Sequence, residues 1–155
     1  MPHIRPYAAN DRAAAELVFY RAVREGSAAH YPQAERAAWA PSPTPDHSQP
    51  DKLLTQWCYV AEEDGRMTGF FSMDHSGYLD MAFVIPEVMG NGTAAALYDT
   101  VMARARQAGL THFTVKAAVQ SHRFLARRGW HLDRMETFTD DTGTYTAALL
   151  HLDTP

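Results

Sequence analysis

The chain has 155 residues, of which 46% are hydrophobic and 11% aromatic, and a formal net charge of -4. This length predicts one domain with one continuous core, spanning residues 1–155. The acidic balance argues against the dense basic face that sequence-independent nucleic-acid binding requires, so no nucleic-acid partner is expected. The apolar runs are far shorter than the roughly 20 residues needed to cross a bilayer, so no membrane partner is expected.

The cysteine and histidine content argues against a disulfide or a metal site. Cys58 is the only cysteine, so it has no partner for an internal disulfide or for a cysteine zinc cluster. The eight histidines show no metal-ligand spacing, and no metal is predicted. A reducing, cytoplasmic setting is expected, and no hydrophobic run near Met1 indicates a secretory signal.

The first third of the chain predicts a short strand and two helices. The strand covers residues 3–7, the first helix residues 10–26, and the second helix residues 32–39, where Pro32 fits a first helical turn. Closely spaced prolines forbid regular structure over residues 40–50, which are expected to form a loop inside the domain. Residues 52–56 add a turn of helix.

The rest of the chain predicts five strands and two helices. Asp64-Gly65 is a strong hairpin-turn pair between the first two of these strands. In chain order the elements are strands over 57–62, 67–73 and 78–84, a long helix from about Gly92 to Gly109, a strand over 111–117, a helix over 121–128, and strands over 130–138 and 144–152. This order predicts an α+β fold around a mixed sheet. The terminal strand is expected to be able to pair with a second subunit, giving a homodimer.

The segment of residues 84–94 carries the strongest chemical signal, because a glycine-bearing loop joins a strand to the longest helix. Gly90 and Gly92 lack side chains where the first helical amides are free, and those amides with the helix dipole make an anion site. The same two glycines are also consistent with an ordinary turn. A Walker loop is disfavoured because no lysine follows Gly92, and a dinucleotide fold because an antiparallel meander precedes the loop.

In this context the run Met89-Gly90-Asn91-Gly92-Thr93-Ala94 resembles the pyrophosphate motif of the GNAT acyltransferase superfamily, which is Gln or Arg, two residues, Gly, one residue, then Gly or Ala. The resemblance spans nearly the whole chain. Its nearest match looks like the YafP-like group of small bacterial acetyltransferases, on the segments 31–41, 83–86 and 124–130. It implies the GNAT fold, a central mixed and mostly antiparallel sheet flanked by about four helices, with acetyl-CoA as cosubstrate.

The resemblance also implies roles for individual residues. The backbone of Phe83 and Val84 would contact the pantetheine arm, and the Val84 amide would polarise the thioester carbonyl. The loop from Met89 through Ala94 would bind the coenzyme, with the amides from Gly90 to Ala94 holding the pyrophosphate, and Ser121 and Phe124 would border the coenzyme.

Two residues depart from the family pattern. Met89 replaces the usual Gln or Arg, which removes a side-chain contact but leaves the amides in place. Leu125 occupies the position of a Tyr that often protonates the departing thiolate. A water, Ser121 or a nearby Tyr is left as the proton donor.

The acceptor and its base are predicted from position. Asp80 lies on the strand that leads to Val84 and shares its strand parity, so it is the first candidate base, although an exposed or paired aspartate fits equally well. Tyr31 and Trp39 are expected to line the acceptor pocket, with Trp39 as a core anchor the alternative.

The sequence therefore predicts an N-acetyltransferase acting on a small-molecule or peptide amine. Because no Ser or Cys has a nucleophile-elbow context, direct attack in a ternary complex is favoured over an acyl-enzyme. The alternative is a GNAT-like module that binds acyl-CoA as a sensor or structural part without significant turnover. A third hypothesis is an interaction domain without coenzyme.

Overall fold

The computed structural model describes residues 2–45 and 47–155. All strands belong to one seven-stranded sheet in the order β1-β2-β3-β4-β5-β7-β6, in which only the β4–β5 pair is parallel. The strands are β1 (His3–Pro6), β2 (Trp57–Glu63), β3 (Arg66–Met73), β4 (Tyr78–Val84), β5 (His112–Ala117), β6 (His131–Asp140) and β7 (Gly143–Asp153). The sheet confirms the predicted α+β class and its mostly antiparallel pairing.

Four helices cover the sheet, namely α1 (Arg12–Arg21), α2 (Gln33–Trp39), α3 (Thr93–Gln107) and α4 (Val119–Ala126). A π-helical turn (Ala22–Gly26) extends α1, and short 3₁₀ turns lie at Ala9–Asp11, Lys52–Thr55 and Pro86–Val88. No helix in the described ranges is long and apolar enough to span a membrane.

The helices form two layers on opposite faces of the sheet. Phe83 meets Phe19 of α1 edge to face at 4.8 Å between ring centroids, whereas the next residue, Val84, lies close to Leu97 of α3. Because successive side chains of a strand point to opposite faces, α1 and α3 pack on different sides of β4. Helix α4 lies beside α3, where Phe124 contacts Tyr98.

The predicted hairpin turn is confirmed. Asp64 and Gly65 connect β2 to β3 with φ of 54° and 75°, the positive values that a tight two-residue hairpin needs.

Cys58 is buried in the core, and burial raises the pKa of its thiol to about 12. A buried thiol of raised pKa is a poor nucleophile.

The start of α4 differs from the prediction of residue 121. Ala118 is extended, and the helix begins at Val119, whose N–H donates to the hydroxyl of Tyr31 at 2.8 Å. The first amide of this helix is capped by a residue distant in the chain, so the sequence around the helix start does not reveal the cap.

The terminal strand offers only part of its length for the expected pairing with a second subunit. Residues 148–153 of β7 pair with β5 on one side, and residues 143–151 pair with β6 on the other, so residues 143–147 have a neighbouring strand on one side only. The edge strands of the sheet are β1 and β6. The homodimer stays a prediction.

Candidate active site

The parallel pair β4–β5 parts soon after it begins. Tyr78 pairs with Thr114 and Leu79 with Val115, and no further pair joins the two strands in the part of the chain that the structure describes. Beyond Leu79 the strands diverge and open a cleft of about 320 Å³. The N-termini of α3 and α4 border one side of the cleft, and the α1–α2 layer borders the other.

The N–H of Val84 points into this cleft. The next amide, that of Ile85, donates to the carbonyl of Thr68 on the β3 side at 2.9 Å. Backbone groups alternate sides along a strand, so the polar groups of Val84 and Ala82 point away from β3, towards the gap left by β5. An amide directed into a water-poor cleft can stabilise negative charge on a carbonyl oxygen.

The loop before α3 presents free amides at the mouth of the cleft. The N–H groups of Gly90, Gly92, Ala94 and Ala95 make no hydrogen bond within residues 2–45 and 47–155, and the first helical bond is from Ala96 to Gly92 at 3.0 Å. Gly90 and Gly92 have φ of 81° and 94°, and a Cβ at either position would meet no atom within 4 Å. Glycine at these two positions therefore allows the positive φ and lets a ligand approach the backbone; it is not required by packing.

Two amides of the predicted set are already engaged. The Asn91 amide donates to the carbonyl of Val88 at 3.2 Å, and the Thr93 amide donates to the side-chain oxygen of Asn91 at 3.0 Å. The hydroxyl of Thr93 also donates to this oxygen, at 2.7 Å. Asn91 and Thr93 thus brace the loop, and the free donors are Gly90, Gly92, Ala94 and Ala95.

Met89 lies at the rim of the cleft against the π-helical turn. A Cβ on Gly26 would lie 2.6 Å from the terminal methyl of Met89, so the Met89 side chain packs closely on the backbone of Gly26. Met89 lines the cleft and is 45% exposed. The residue that departs from the family motif therefore makes an apolar contact between the loop and the α1–α2 layer.

Helix α4 provides Ser121, Phe124 and Leu125 to the cleft. Leu125 is buried, at 2% exposure. Ser121 is the only hydroxyl-bearing residue among the described residues that line the cleft, and its hydroxyl has no hydrogen-bond partner there. No tyrosine of the described ranges lines the cleft.

Asp80 lies at the point where the strands part, but the parity argument for it is wrong. Ser72 pairs with Met81 and Met73 with Leu79, which leaves Asp80 as the extra residue of a β-bulge. A bulge interrupts the alternation of faces, so counting from Val84 does not fix the direction of Asp80. Asp80 nevertheless lines the cleft. Its Oδ2 accepts from Gln56 at 2.9 Å and pairs with Lys52 at 2.9 Å.

Trp39 and Tyr31 occupy different positions. Trp39 lines the cleft and packs on Tyr145 at 4.6 Å between centroids. Tyr31 lies behind Trp39, outside the cleft wall; its hydroxyl donates to the carbonyl of Thr146 and accepts from the Val119 amide, both at 2.8 Å. Burial raises the pKa of Tyr31. Trp39 is placed to touch an acceptor, whereas Tyr31 braces the wall.

Sequence reasoning missed Lys116, which also lines the cleft. Its ammonium donates to the Tyr145 hydroxyl at 3.1 Å and lies 4.4 Å from the centre of the Phe138 ring. The chain has only two lysines, Lys52 and Lys116, and a lysine next to the buried residues Val115 and Ala117 of a strand was the signal available. His30 joins Trp39 on the same side of the cleft.

Within the described ranges, no group of three or more His, Cys, Asp or Glu side chains is arranged to hold a metal ion. The polar groups of the cleft are backbone amides, one carboxylate, one hydroxyl, one ammonium, one imidazole and the amide of Gln120. These groups suit acyl transfer from a phosphate-bearing cosubstrate.

A parted parallel strand pair, an inward amide and a helix start with free amides are typical of acyl-transferring α+β proteins. A family model described as "Acetyltransferase (GNAT) domain" matches residues 32–144. The chain therefore belongs to the GNAT acetyltransferase family, and it is an N-acetyltransferase. The finer likeness to the YafP-like group stays a prediction.

Solved structures share this fold over nearly the whole chain. A GCN5-related N-acetyltransferase from Rhodopseudomonas palustris superposes with a TM-score of 0.90 at 24% identity, covering 99% of this chain and 96% of that one. The PaiA N-acetyltransferase from Thermoplasma acidophilum gives 0.76 at 13% identity, covering 99% of each chain. The yncA protein of Salmonella typhimurium gives 0.68 at 19% identity, covering 100% and 95%. No curated protein matches this chain.

Proposed function

We propose that the cleft between β4 and β5 binds acetyl-CoA and that an amine attacks the thioester there directly, in a ternary complex. The observation that carries the proposal is the set of four free amides, Gly90, Gly92, Ala94 and Ala95, at the open end of the parted strands. The PaiA protein was solved with coenzyme A and the yncA protein with acetyl-CoA, which supports the same ligand for this fold.

The loop amides are proposed to bind the diphosphate of the coenzyme. Each hydrogen bond to a charged oxygen contributes about 1.5–3 kcal/mol, and the positive end of the α3 dipole adds to it. Met89, Asn91 and Thr93 shape the loop. The free backbone groups of β4 suit hydrogen bonds with the amides of the pantetheine arm. Phe83, Ser121 and Phe124 would lie beside this arm.

Val84 is proposed to stabilise the tetrahedral intermediate. The amine nitrogen forms a bond to the acetyl carbon, negative charge moves to the carbonyl oxygen, and the Val84 N–H donates to that oxygen. The carbon–sulfur bond then breaks. The amine nitrogen gives up one proton in the process and the sulfur gains one, so the products are the N-acetyl amine and the CoA thiol.

Asp80 is proposed as the base that takes the proton of the amine. Its Oδ2 is held by Lys52 and Gln56, whereas its Oδ1 has no partner in the described chain, so one carboxylate oxygen is available inside the cleft. The general base makes the lone pair of a protonated alkyl amine available, an effect of about 10²–10⁴-fold in rate.

Ser121 is proposed to pass a proton to the thiolate, directly or through water. It is the hydroxyl that the described cleft offers, since Leu125 replaces the usual tyrosine. Thiolate is a fairly good leaving group, so a weak acid at this position is sufficient.

The buried Leu125 favours one alternative, a domain that binds acyl-CoA as a sensor without significant turnover. A thiol-release assay across a panel of amines separates the two functions. The transferase requires saturable acetyl-CoA consumption that depends on an amine. The sensor would instead show coenzyme binding with consumption no higher than that of acetyl-CoA in buffer.

A further inference from the structure

The two strands that form the cleft place opposite charges across it. Leu79 and Val115 are the last paired residues, so Asp80 on β4 and Lys116 on β5 are the first residues beyond the point of divergence. Both side chains line the cleft. They form no ion pair with each other in the described structure, because each is held by other groups: Asp80 by Lys52 and Gln56, and Lys116 by Tyr145 and Phe138.

The ammonium of Lys116 has no carboxylate partner within ion-pairing distance among the described residues. Its neighbours are the hydroxyl of Tyr145 and the ring faces of Phe138 and Tyr145, at 4.4 Å and 5.3 Å from the ring centres. The pKa of Asp140 is lowered mainly by its hydrogen bonds from Thr142 and also by the charge of Lys116, so this carboxylate lies in the neighbourhood of the ammonium without forming an ion pair with it. An anion entering the cleft therefore meets the positive charge of Lys116, which Tyr145 and Phe138 hold from behind the cleft wall.

Lys116 belongs to the acceptor side of the cleft rather than to the coenzyme side. The ring of Tyr145, which holds Lys116, packs on Trp39 of α2. His30 and Trp39 line the cleft from this same layer, whereas the free loop amides lie at the start of α3 on the opposite face. A cation at this location would repel a simple amine, which is itself mostly protonated in water, unless the acceptor also carries a negative charge.

We propose that the acceptor of this enzyme is an amine that also bears a carboxylate, of the amino-acid class, with its carboxylate on Lys116 and its amine towards Asp80. This inference rests on the proposed acetyl transfer at the same cleft. Lys116 and Asp80 lie on different strands, so their opposite charges orient the acceptor between them. Lys116 also disfavours amines without an anionic group. The apolar wall formed by Trp39 faces the remainder of the molecule.

The test compares matched acceptors in the thiol-release assay: the standard amino acids, their α-amides, and the amines left by decarboxylation. The expected kcat/KM of the best acid is at least about tenfold above that of its amide, or 1.4 kcal/mol. The difference in basicity works against this result. The amine of an amino-acid amide is less basic than that of the acid, so a larger fraction of the amide is unprotonated and able to react. Amides or decarboxylated amines that react as well as the acids overturn the inference.

Variants connect the preference to Lys116. Lys116→Met is expected to reduce the acid-to-amide ratio to within about threefold of unity, and Lys116→Glu to bring it below unity. The matched control is Arg134→Met, which removes an exposed cation on β6 that pairs with Glu136 outside the cleft, and it should keep the ratio. A ratio that persists in both Lys116 variants contradicts the proposal.

The outcomes also distinguish failure of the carboxylate-bearing acceptor from failure of acetyl transfer. Turnover confined to amines without an anionic group overturns the carboxylate inference and leaves acetyl transfer intact. Coenzyme binding without amine-dependent turnover of any acceptor overturns acetyl transfer itself, and the inference with it.

Discussion

At the scale of single residues, Asp80 combines two features that a base in this cleft needs. The β-bulge places it at the divergence of the strands, and Lys52 with Gln56 fixes one carboxylate oxygen while the other remains available. The ion pair with Lys52, at 2.9 Å, holds the carboxylate in one orientation. The position and the ion pair act together.

Replacing Asp80 with Asn removes the base and preserves the shape. We expect Asp80→Asn to lower kcat by about 10²-fold or more, while the dissociation constant for CoA changes by less than about threefold, because the loop amides are untouched. Steady-state kinetics and calorimetry measure the two quantities. Asp99→Asn, on the exposed side of α3, is the control and should change neither. An unchanged kcat in Asp80→Asn would remove Asp80 from the mechanism.

At the scale of elements, Tyr31 joins three parts of the fold. It lies in the segment between α1 and α2, its hydroxyl donates to β7 through Thr146, and it accepts the first amide of α4 at Val119. Helix α4 provides Ser121, Phe124 and Leu125 to the cleft. The Tyr31 hydroxyl therefore fixes the N-terminus of α4, the helix that forms one wall of the cleft.

Removing this hydroxyl leaves a buried carbonyl and a helix-start amide without their partner. We expect Tyr31→Phe to lower the free energy of unfolding by about 1–3 kcal/mol, as measured by urea denaturation. The control is Tyr59→Phe, whose hydroxyl has no hydrogen-bond partner in the described chain and which should stay within about 0.5 kcal/mol. If Tyr31→Phe keeps full stability but raises KM for the amine, Tyr31 contacts the acceptor, as the sequence predicted.

The elements themselves were largely predictable from sequence. Apolar periodicity, Asp64-Gly65 and Gly109 located the meander and the long helix within one or two residues, because these signals are local. The start of α4 was missed because its cap comes from Tyr31, more than eighty residues away in the chain. The place of the terminal strand in the sheet was not predicted, because sheet order depends on the insertion of β7 between β5 and β6, for which no local pattern exists.

The site was predictable where the backbone forms it and not where side chains meet. Gly90 and Gly92 indicated the amide loop, since positive φ and an open approach both require glycine. Asp80 was placed in the cleft by an argument that the bulge invalidates. Lys116 was missed because its role depends on two residues of the last hairpin, Phe138 and Tyr145.

At the scale of the whole molecule, the gap between the diverging strands β4 and β5 is accessible from both helical layers, α1–α2 and α3–α4. The coenzyme loop belongs to the α3–α4 face, and Trp39, His30 and Lys116 belong to the α1–α2 face. The acetyl group can lie in the gap between the strands and be approached by the amine from the other side. The sheet therefore separates the two substrates except where they react.

Stability of the whole chain is expected to fall in acid, with Asp11 as one cause. Hydrogen bonds from Arg5, at 2.8 Å to each carboxylate oxygen, hold the pKa of Asp11 below its usual value, and the Ala8 amide acts in the same direction. A lowered folded pKa contributes stability that is present above the unfolded value of about 3.9 and is lost as pH falls through the folded value.

Asp11→Asn tests this dependence. We expect the variant to be less stable than the parent by about 2 kcal/mol at pH 7, and the difference to shrink below about pH 4, where the unfolded parent takes up a proton on Asp11 before the folded parent does. Urea denaturation at several pH values measures it. Asp64→Asn, in the exposed turn where asparagine tolerates the positive φ, is the control and should show a small difference at every pH. A gap between Asp11→Asn and the parent that stays constant down to pH 3 would contradict the assignment.

The central claim is that the backbone amides at the start of α3 bind a diphosphate, and calorimetric titration tests it most directly. CoA and pantetheine, which lacks the diphosphate, are titrated into the parent, Gly92→Glu and Gly109→Glu; both glycines have φ near 93° and open surroundings at opposite ends of α3. We predict saturable CoA binding to the parent and to Gly109→Glu, at least about 100-fold weaker binding of pantetheine, and no CoA binding to Gly92→Glu. Equal affinities for CoA and pantetheine, or normal CoA binding by Gly92→Glu, would contradict the account.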